Sequence, residues 1–320
     1  MRKKDLEGYK FIDLFSGLGG FRLALEYYRA ECVFSSDIDD KVNAVYYNNF
    51  KDKPAGDITK IEAKDIPDHD ILCAGFPCQS FSISGKKLGF NDSRGTLFFD
   101  VARIVKEKKP KVVILENVKN FTTHDNGNTL RVVEATMHEL GYTFFYKVLN
   151  AVDFGIPQNR ERVYMISFRK DLNIKKFNFP ISKSENINLK DILLKNSNIG
   201  KEIILYEKGN IKEFPGKPKD RKPIRIGIIG KGGQGERIYS TKGSAITISA
   251  NGGGRFAKTG GYLIGNKIRK LHPRECARLM GFPDSYILAE SFNQSYKQLG
   301  NSVVIPVLVE IIKEIKQVIK

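Results

Sequence analysis

Acidic residues are in short supply: the chain sets 36 Asp and Glu against 53 Lys and Arg, a formal net charge of +17. Such an excess is high for a metabolic enzyme and suits a polyanionic partner, nucleic acid first. Richness in Lys, Asn and Ile leaves a merely compositional origin open for part of it. Cysteine and histidine are scarce as well. Cys32, Cys73, Cys78 and Cys276 form no C-x-x-C pair, and His69, His124, His138 and His272 form no ligand cluster. Neither a disulfide framework nor a structural zinc is indicated. No apolar run approaches the ~20 residues that span a bilayer, and the charged start MRKKDLEGYK leads into no cleavable signal pattern. The expectation is a cytoplasmic protein with no membrane anchor, no internal repeat and no low-complexity tail.

With 320 residues, one large domain plus a smaller one is expected. Residues 10–15 read as a strand that runs into the glycine loop Ser16-Gly17-Leu18-Gly19-Gly20 and a helix to about Tyr28. Strand, glycine loop and helix open a nucleotide-type α/β unit. A second strand, 32–36, ends on Asp37, where an acidic residue can grip ribose hydroxyls; a helix N-cap is the bland alternative for Asp37 and Asp57. The loop lacks the full G-x-G-x-x-G spacing, which suits a nucleoside without phosphates better than a dinucleotide. Further helices are expected at 39–49, 96–108 and 128–140, and strands at 70–73, 111–115, 142–149 and 162–168. Alternation of this kind implies a mostly parallel, Rossmann-like sheet with ligands at the carboxyl ends of its strands. Gly17, Asp37, Cys78 and Glu116 fall at such ends.

From about Asp191 the composition turns to Lys, Gly and short β-like runs, with glycine clusters at 230–235 and 252–254. These read as a smaller β-rich domain over 191–272, with linker as the alternative. Helices return at 273–280 and 303–320. The expected division is 1–190 plus 273–320 for the large domain and 191–272 for the small one.

The residues 74–84, AGFPCQSFSIS, set Cys78 on a Gly/Pro turn after a buried strand. A thiol is nucleophilic only as thiolate, so Cys78 reads equally as a nucleophile awaiting a cationic environment or as a small buried hydrophobe. Glu116, at the end of a neighbouring strand, is a candidate acid or a surface carboxylate, and Arg160 and Arg162 flank Glu161 in a polar turn.

Together these pieces resemble the DNA cytosine-5 methyltransferase family. FIDLFSGLGGF at 11–21 is similar to its cofactor motif, GFPCQ at 75–79 to its nucleophile motif and ENV at 116–118 to its acid motif. QNRER at 158–162, RECAR at 274–278 and GNSV at 300–303 follow in the family's order. The resemblance implies a Rossmann-like, S-adenosylmethionine-dependent sheet with a smaller β-rich target-recognition domain, and duplex DNA as partner. It implies Cys78 attacking cytosine C6, Glu116 at N3, and Arg160 and Arg162 beside the base. It implies that S-adenosyl-L-methionine is bound by Phe15, Ser16, Gly17, Leu18, Gly19 and Gly20, by Asp37, Ile38, Asp57 and Ile58, and by Pro77, Leu97, Asn301 and Ser302. Gln79, Ser82, Ser84, Gln234, Arg237 and Thr247 are implied DNA contacts, Gln234 filling the space left by a flipped base. Run 231–247, KGGQGERIYSTKGSAIT, is similar to a branch that modifies GCGC within restriction-modification systems, although Asn251 stands where an aromatic is expected. Arg274 to Arg278 is expected to be structural, with an arginine buried in the framework and Cys276 in the core. A monomer without an obligatory protein partner and without a metal is the default.

Two other functions stay in view. A tRNA substrate on the same chemistry is opposed by the glycine loop at 230–235, and a non-enzymatic DNA-binding module by intact Cys78 and Glu116. A zinc deaminase needs a second cysteine where Phe81 stands.

Overall fold

A computed structural model describes residues 5–77, 97–182, 187–195, 199, 203–207, 212–213 and 221–319. By packing, the chain divides into a first unit, Met1–Leu149 with Glu161–Pro180 and Leu308–Lys320, and a second, Asn150–Arg160 with Ile181–Val307. The second therefore holds 150–160 and 273–307 as well as the expected small-domain segment. Hydrogen bonds from Gln158 and Arg160 to residues 248, 279, 300 and 302 draw those stretches together.

The first unit is built on a six-stranded sheet in the order β2-β1-β3-β4-β6-β5. Its strands are β1 (Lys10–Leu14), β2 (Glu31–Ser36), β3 (Ile71–Ala74), β4 (Val112–Val118), β5 (Tyr142–Asn150) and β6 (Glu161–Arg169). In β3 every residue is buried, and in β4 all but the last are, the continuous apolar pattern of strands covered on both faces. Helices α3 (Leu97–Lys108) and α4 (Asn128–Glu139) pack Phe98, Val101, Ile104, Val133 and Met137 against Ile12, Leu14, Leu72, Val113 and Met165. Helices α1 (Gly20–Glu26) and α2 (Asp40–Phe50) follow β1 and β2.

β1 pairs parallel with both β2 and β3, and β3 parallel with β4, but β4 and β6 are antiparallel. Three of these four pairings are parallel, so the mostly parallel sheet that was expected is mixed at β6, which runs against β4. Only a 3-10 turn, Ala151–Phe154, interrupts the 151–160 connection before β6, so no crossover helix is there to restore a parallel course. From β1 the chain goes to β2 on one side and returns to β3 on the other. Connections diverge there, at the carboxyl ends of β1 and β3, the kind of point where open α/β sheets bind ligands.

The second unit carries a sheet in the order β7-β12-β11-β10-β9-β8. Its strands are β7 (Ile204–Glu207), β8 (Lys212–Glu213), β9 (Ile224–Ile228), β10 (Arg237–Ser240), β11 (Gly261–Ile264) and β12 (Lys267–Arg269). Ile229, Ile238, Phe256 and Ile268 form its core cluster. Helices α5 (Pro273–Arg278) and α6 (Phe292–Asn301) follow, and α7 (Ile305–Val318) runs into the first unit. Among the described residues, no helix is long and apolar enough to cross a membrane.

Candidate active site

The glycine loop at the end of β1 turns through left-handed backbone at Phe15 (φ 55°), Gly17 (φ 53°) and Gly19 (φ 71°). Phe15 is the costly member, because a side chain disfavours that region. What holds the loop is main-chain pairing: Ser16 N–H donates to the Ser36 carbonyl, and Gly17 N–H to Asp37 Oδ2, both at 2.9 Å. Asp37 Oδ1 accepts from Asp39 N–H at 2.9 Å, and the Asp37 carbonyl accepts from Asn43 Nδ2. Burial raises the Asp37 pKa, and the N–H groups of Asp39 and Gly17 oppose that rise. Asp37 thus ties β1 to β2 and is not a helix cap; Asp39 caps α2. Ile38 beside it is 73% exposed, a large apolar side chain left on the surface.

Asp57 does take the capping role. Its Oδ1 accepts from Thr59 N–H and Oγ1, and the Thr59 hydroxyl bond lowers its pKa most. Arg103 from α3 holds that turn by donating to the Ile61 carbonyl at 2.8 Å. Leu18 and Ile58 lie in the core at 1% and 3% exposure, so any ligand contact from them comes through the backbone. Gly20 is buried, Leu97 partly buried and Pro77 exposed.

β3 leads into Gly75, Phe76 and Pro77. Phe76 is 3% exposed and packs its ring against Phe98 and Phe121, with centroids 5.8 and 5.6 Å away, so the turn is anchored by an aromatic plug. Asn117 is a second anchor that motif reading passed over. Its Nδ2 donates to the Phe76 carbonyl at 2.9 Å and its Oδ1 accepts from Val118 N–H at 2.8 Å. The one signal for it was an amide next to an acid in an otherwise apolar strand.

Glu116 lies inside β4, not at its end, and is 8% exposed. Arg162 Nε is 3.2 Å from Glu116 Oε1, and the two side chains are 13% and 11% exposed. They meet because Val118 pairs with Arg162 and Glu116 with Tyr164 across the antiparallel β4–β6 ladder, leaving the long Arg side chain to reach back along the sheet. Lys119 and Glu161 form an exposed pair at 3.0 Å just past the end of this ladder. Cys78, Gln79, Ser82 and Ser84 lie outside the described residues.

In the second unit Arg160 is 2% exposed, its Nη1 donating to the Ile248 carbonyl and its Nη2 to those of Gly300 and Ser302. A guanidinium held by three main-chain acceptors organises the backbone around Asn301 and Ser302. Asn301 is exposed at the end of α6, and the buried Ser302 is its C-cap. Gln158 is fully buried, donating to the Leu279 carbonyl and accepting from Ile248 N–H. Thr247 Oγ1 donates to the Asn159 carbonyl at 2.6 Å.

Gln234 is exposed on the 3-10 turn Gln234–Glu236, and Arg237 follows at the head of β10 with a buried Nε that has no hydrogen-bond partner among the described residues. The two glycine clusters are not linkers. A Cβ on Gly235 would stand 2.0 Å from the Gly253 carbonyl oxygen, so the loops meet backbone to backbone. Asn251, just before the second cluster, is exposed.

The RECAR segment differs from expectation in one respect. Arg274 and Arg278 are only partly buried, holding the Tyr286 carbonyl and Asp284, and the buried framework arginine is Arg269. Arg269 pairs with the fully buried Glu275 through two 2.7 Å hydrogen bonds. Cys276 is in the core.

A glycine loop after β1, an acidic residue after β2 and the Gly75-Phe76-Pro77 segment after β3 place the chain in the class of α/β proteins with a site at the carboxyl ends of their strands. The profile of the family described as C-5 cytosine-specific DNA methylase matches residues 9–317, and the chain belongs to that family. It is 62% identical over 314 residues to the type II methyltransferase M.HhaI of Haemophilus parahaemolyticus, covering 96% of this chain and 94% of that protein. Identity to the type II methyltransferase M.SsoII of Shigella sonnei is 43%, covering 96% and 80%. The fold is shared with S. pombe Dnmt2 methyltransferase (TM-score 0.72, 20% identity, 95% and 97% covered) and with the Entamoeba histolytica methyltransferase EhMeth (0.72, 19%, 98% and 99%). The protein is therefore a DNA cytosine-5 methyltransferase of the type II kind, closely related to M.HhaI.

Proposed function

We propose that this enzyme methylates C5 of a cytosine flipped out of duplex DNA, through a covalent bond between Cys78 and C6, at the sequence GCGC. The observation that carries the chemistry is the Glu116–Arg162 pair, two nearly buried side chains 3.2 Å apart on the neighbouring strands β4 and β6. Cytosine C5 is a weak nucleophile until C6 is saturated. Attack by the Cys78 thiolate forms the S–C6 bond and pushes the C5–C6 π electrons into the ring. Glu116 supplies a proton or hydrogen bond at N3, and Arg162, 3.2 Å away, is positioned to balance the carboxylate that results. Arg160 acts at one remove, by positioning the 300–302 backbone. After methylation the C5 proton leaves to a base, and elimination expels Cys78 as thiolate.

The residues of the first unit fit S-adenosylmethionine. The left-handed loop at 15–19 opens the backbone, the buried Ser16 hydroxyl has no hydrogen-bond partner among the described residues, and exposed Ile38 beside Asp37 offers an apolar surface for a purine. Bound there, that molecule supplies a methyl group on a positively charged sulfur. The second sheet, with its packed glycine loops carrying Gln234 and Arg237, is the target-recognition part in this reading, Arg being matched to the guanine edge. The GCGC target rests on the likeness to M.HhaI. A cytoplasmic monomer within a restriction-modification system completes the proposal.

The test is incubation with labelled S-adenosylmethionine and either duplex DNA or tRNA, using wild type and Cys78→Ala. Label is expected in GCGC duplexes only, with none from the variant. A duplex with 5-fluorocytosine at the inner cytosine is expected to trap Cys78. Transfer that survives Cys78→Ala would falsify the mechanism, and equal labelling of duplexes without GCGC would remove the target.

A further inference from the structure

In the second unit two ammonium groups face one open cleft. Lys258, Lys270, Asn293, Phe292 and Tyr296 line a cavity of about 360 Å³, with Gly252 contributing backbone to its wall. Among the described residues neither lysine is paired with a carboxylate. Lys258 instead donates to the Oδ1 of Asn293 and, at 3.4 Å, to its carbonyl, while Lys270 Nζ lies 5.8 Å from the centre of the Tyr296 ring. An amide oxygen and an aromatic face are neutral partners and leave both positive charges uncompensated.

The walls are built, not incidental. Tyr296 is 5% exposed and its hydroxyl donates to the Leu271 carbonyl at 2.7 Å, so the ring under Lys270 is fixed. Phe292 packs edge-on to His272, with centroids 5.0 Å apart. Lys258 has left-handed backbone (φ 76°), and its carbonyl accepts from Ser249 N–H at 3.0 Å. A non-glycine residue kept in that region costs free energy, and such strain gathers where a side chain must be aimed. The electrostatics agree: burial lowers the Lys270 pKa, the charge of Lys258 lowers it further, and buried Cys276 opposes weakly. Two like charges held toward one cleft are stabilised by an anion between them.

We propose that this cleft is a phosphate subsite, Lys258 and Lys270 together holding one phosphate-class anion. Lysine suits that role as a compact point charge, and Asn293 adds an amide that can donate. The occupant is a phosphodiester of the bound duplex or a free phosphate. None of these residues is among the DNA contacts assigned above, and only the phosphodiester source rests on the proposed function.

The test compares wild type, Lys258→Met, Lys270→Met and Lys270→Arg. Pyrophosphate binding is read by titration calorimetry, and duplex binding by its salt dependence. Each Met variant is expected to bind pyrophosphate at least ~10-fold more weakly, as loss of one charge-assisted contact implies, while Lys270→Arg retains binding. For a duplex phosphodiester, each Met variant also lowers the salt slope by about 1, and pyrophosphate competes with DNA. For a free phosphate, the slope is unchanged and both ligands bind together. Wild-type pyrophosphate affinity in both Met variants overturns the proposal. The pyrophosphate arm reads the cleft even if the duplex is not the substrate, and Lys270→Arg separates lost charge from a lost fold.

Discussion

Removing the amide of Asn117 would strand two groups at once, the Phe76 carbonyl and the Val118 N–H. A buried polar group left unpaired costs about 1–3 kcal/mol, so Asn117→Ala is expected to lower the melting temperature. A residue that positions the nucleophile turn must do more than that. Displacing a reacting group by ~1 Å costs on the order of 100-fold in rate, so kcat should fall far more than KM rises, and 5-fluorocytosine trapping should slow in step. A loss of stability with unchanged kcat would reduce Asn117 to packing. Asp13 poses the opposite question. It is fully buried in β1, and burial raises its pKa well above normal against the opposing pull of the Arg22 charge and main chain. The folded state therefore holds a proton that the unfolded state releases, so stability is fully present below the unfolded value near 3.8 and declines as pH rises through the folded one. Asp13→Asn, which cannot titrate, should flatten that decline in denaturant titrations between acid and neutral pH; parallel curves would show that Asp13 does not titrate there.

Among the elements, the paired glycine loops give a matched pair of substitutions. At Gly235 a Cβ would collide with the Gly253 carbonyl oxygen, whereas at Gly253 a Cβ meets nothing within 4 Å. Gly235→Ala should force the loops apart and cut the preference for target over non-target duplex at least ~10-fold, a loss of about 1.4 kcal/mol or more. Gly253→Ala should leave it unchanged, and S-adenosylmethionine affinity should be the same in both. Equal preference in all three proteins would detach the loops from recognition. Elements of the first unit were legible because strands buried on both faces are continuous apolar runs between turn residues. Helix α6 was not: its buried side is Ser295, Tyr296, Gln298, Leu299 and Gly300, which hydropathy does not mark as a core face. Glu116 was seen as a strand end because polar Glu and Asn follow an apolar run, yet β4 continues through both to pair with β6. Arg160 and Arg162 looked equivalent in sequence. The ladder sends Arg162 to Glu116, while Arg160, ahead of β6, reaches main-chain carbonyls.

For the molecule as a whole, the charge of +17 is the property read most directly from composition. Each phosphate neutralised on a duplex contributes about −0.9 to the slope of log affinity against log salt, so engagement of five or more predicts a slope of about −4.5 or steeper. Fluorescence anisotropy across a salt series measures it, and a flat line would leave the excess charge without a role in binding. The first unit has another property that no local motif announces: its closing layer is α7, made only after the 181–307 segment. Ile311, Ile312 and Ile315 of α7 are fully buried, the Tyr28 hydroxyl donates to the Val309 carbonyl, and Lys316 lies over the Tyr28 ring while pairing with Asp5. On the ribosome, the surface that this helix covers stays bare until translation has passed through the whole inserted segment. A chain that stalls early therefore presents open apolar surface, which chaperones hold and proteases recognise. Quality control can in this way distinguish truncated products from finished enzyme.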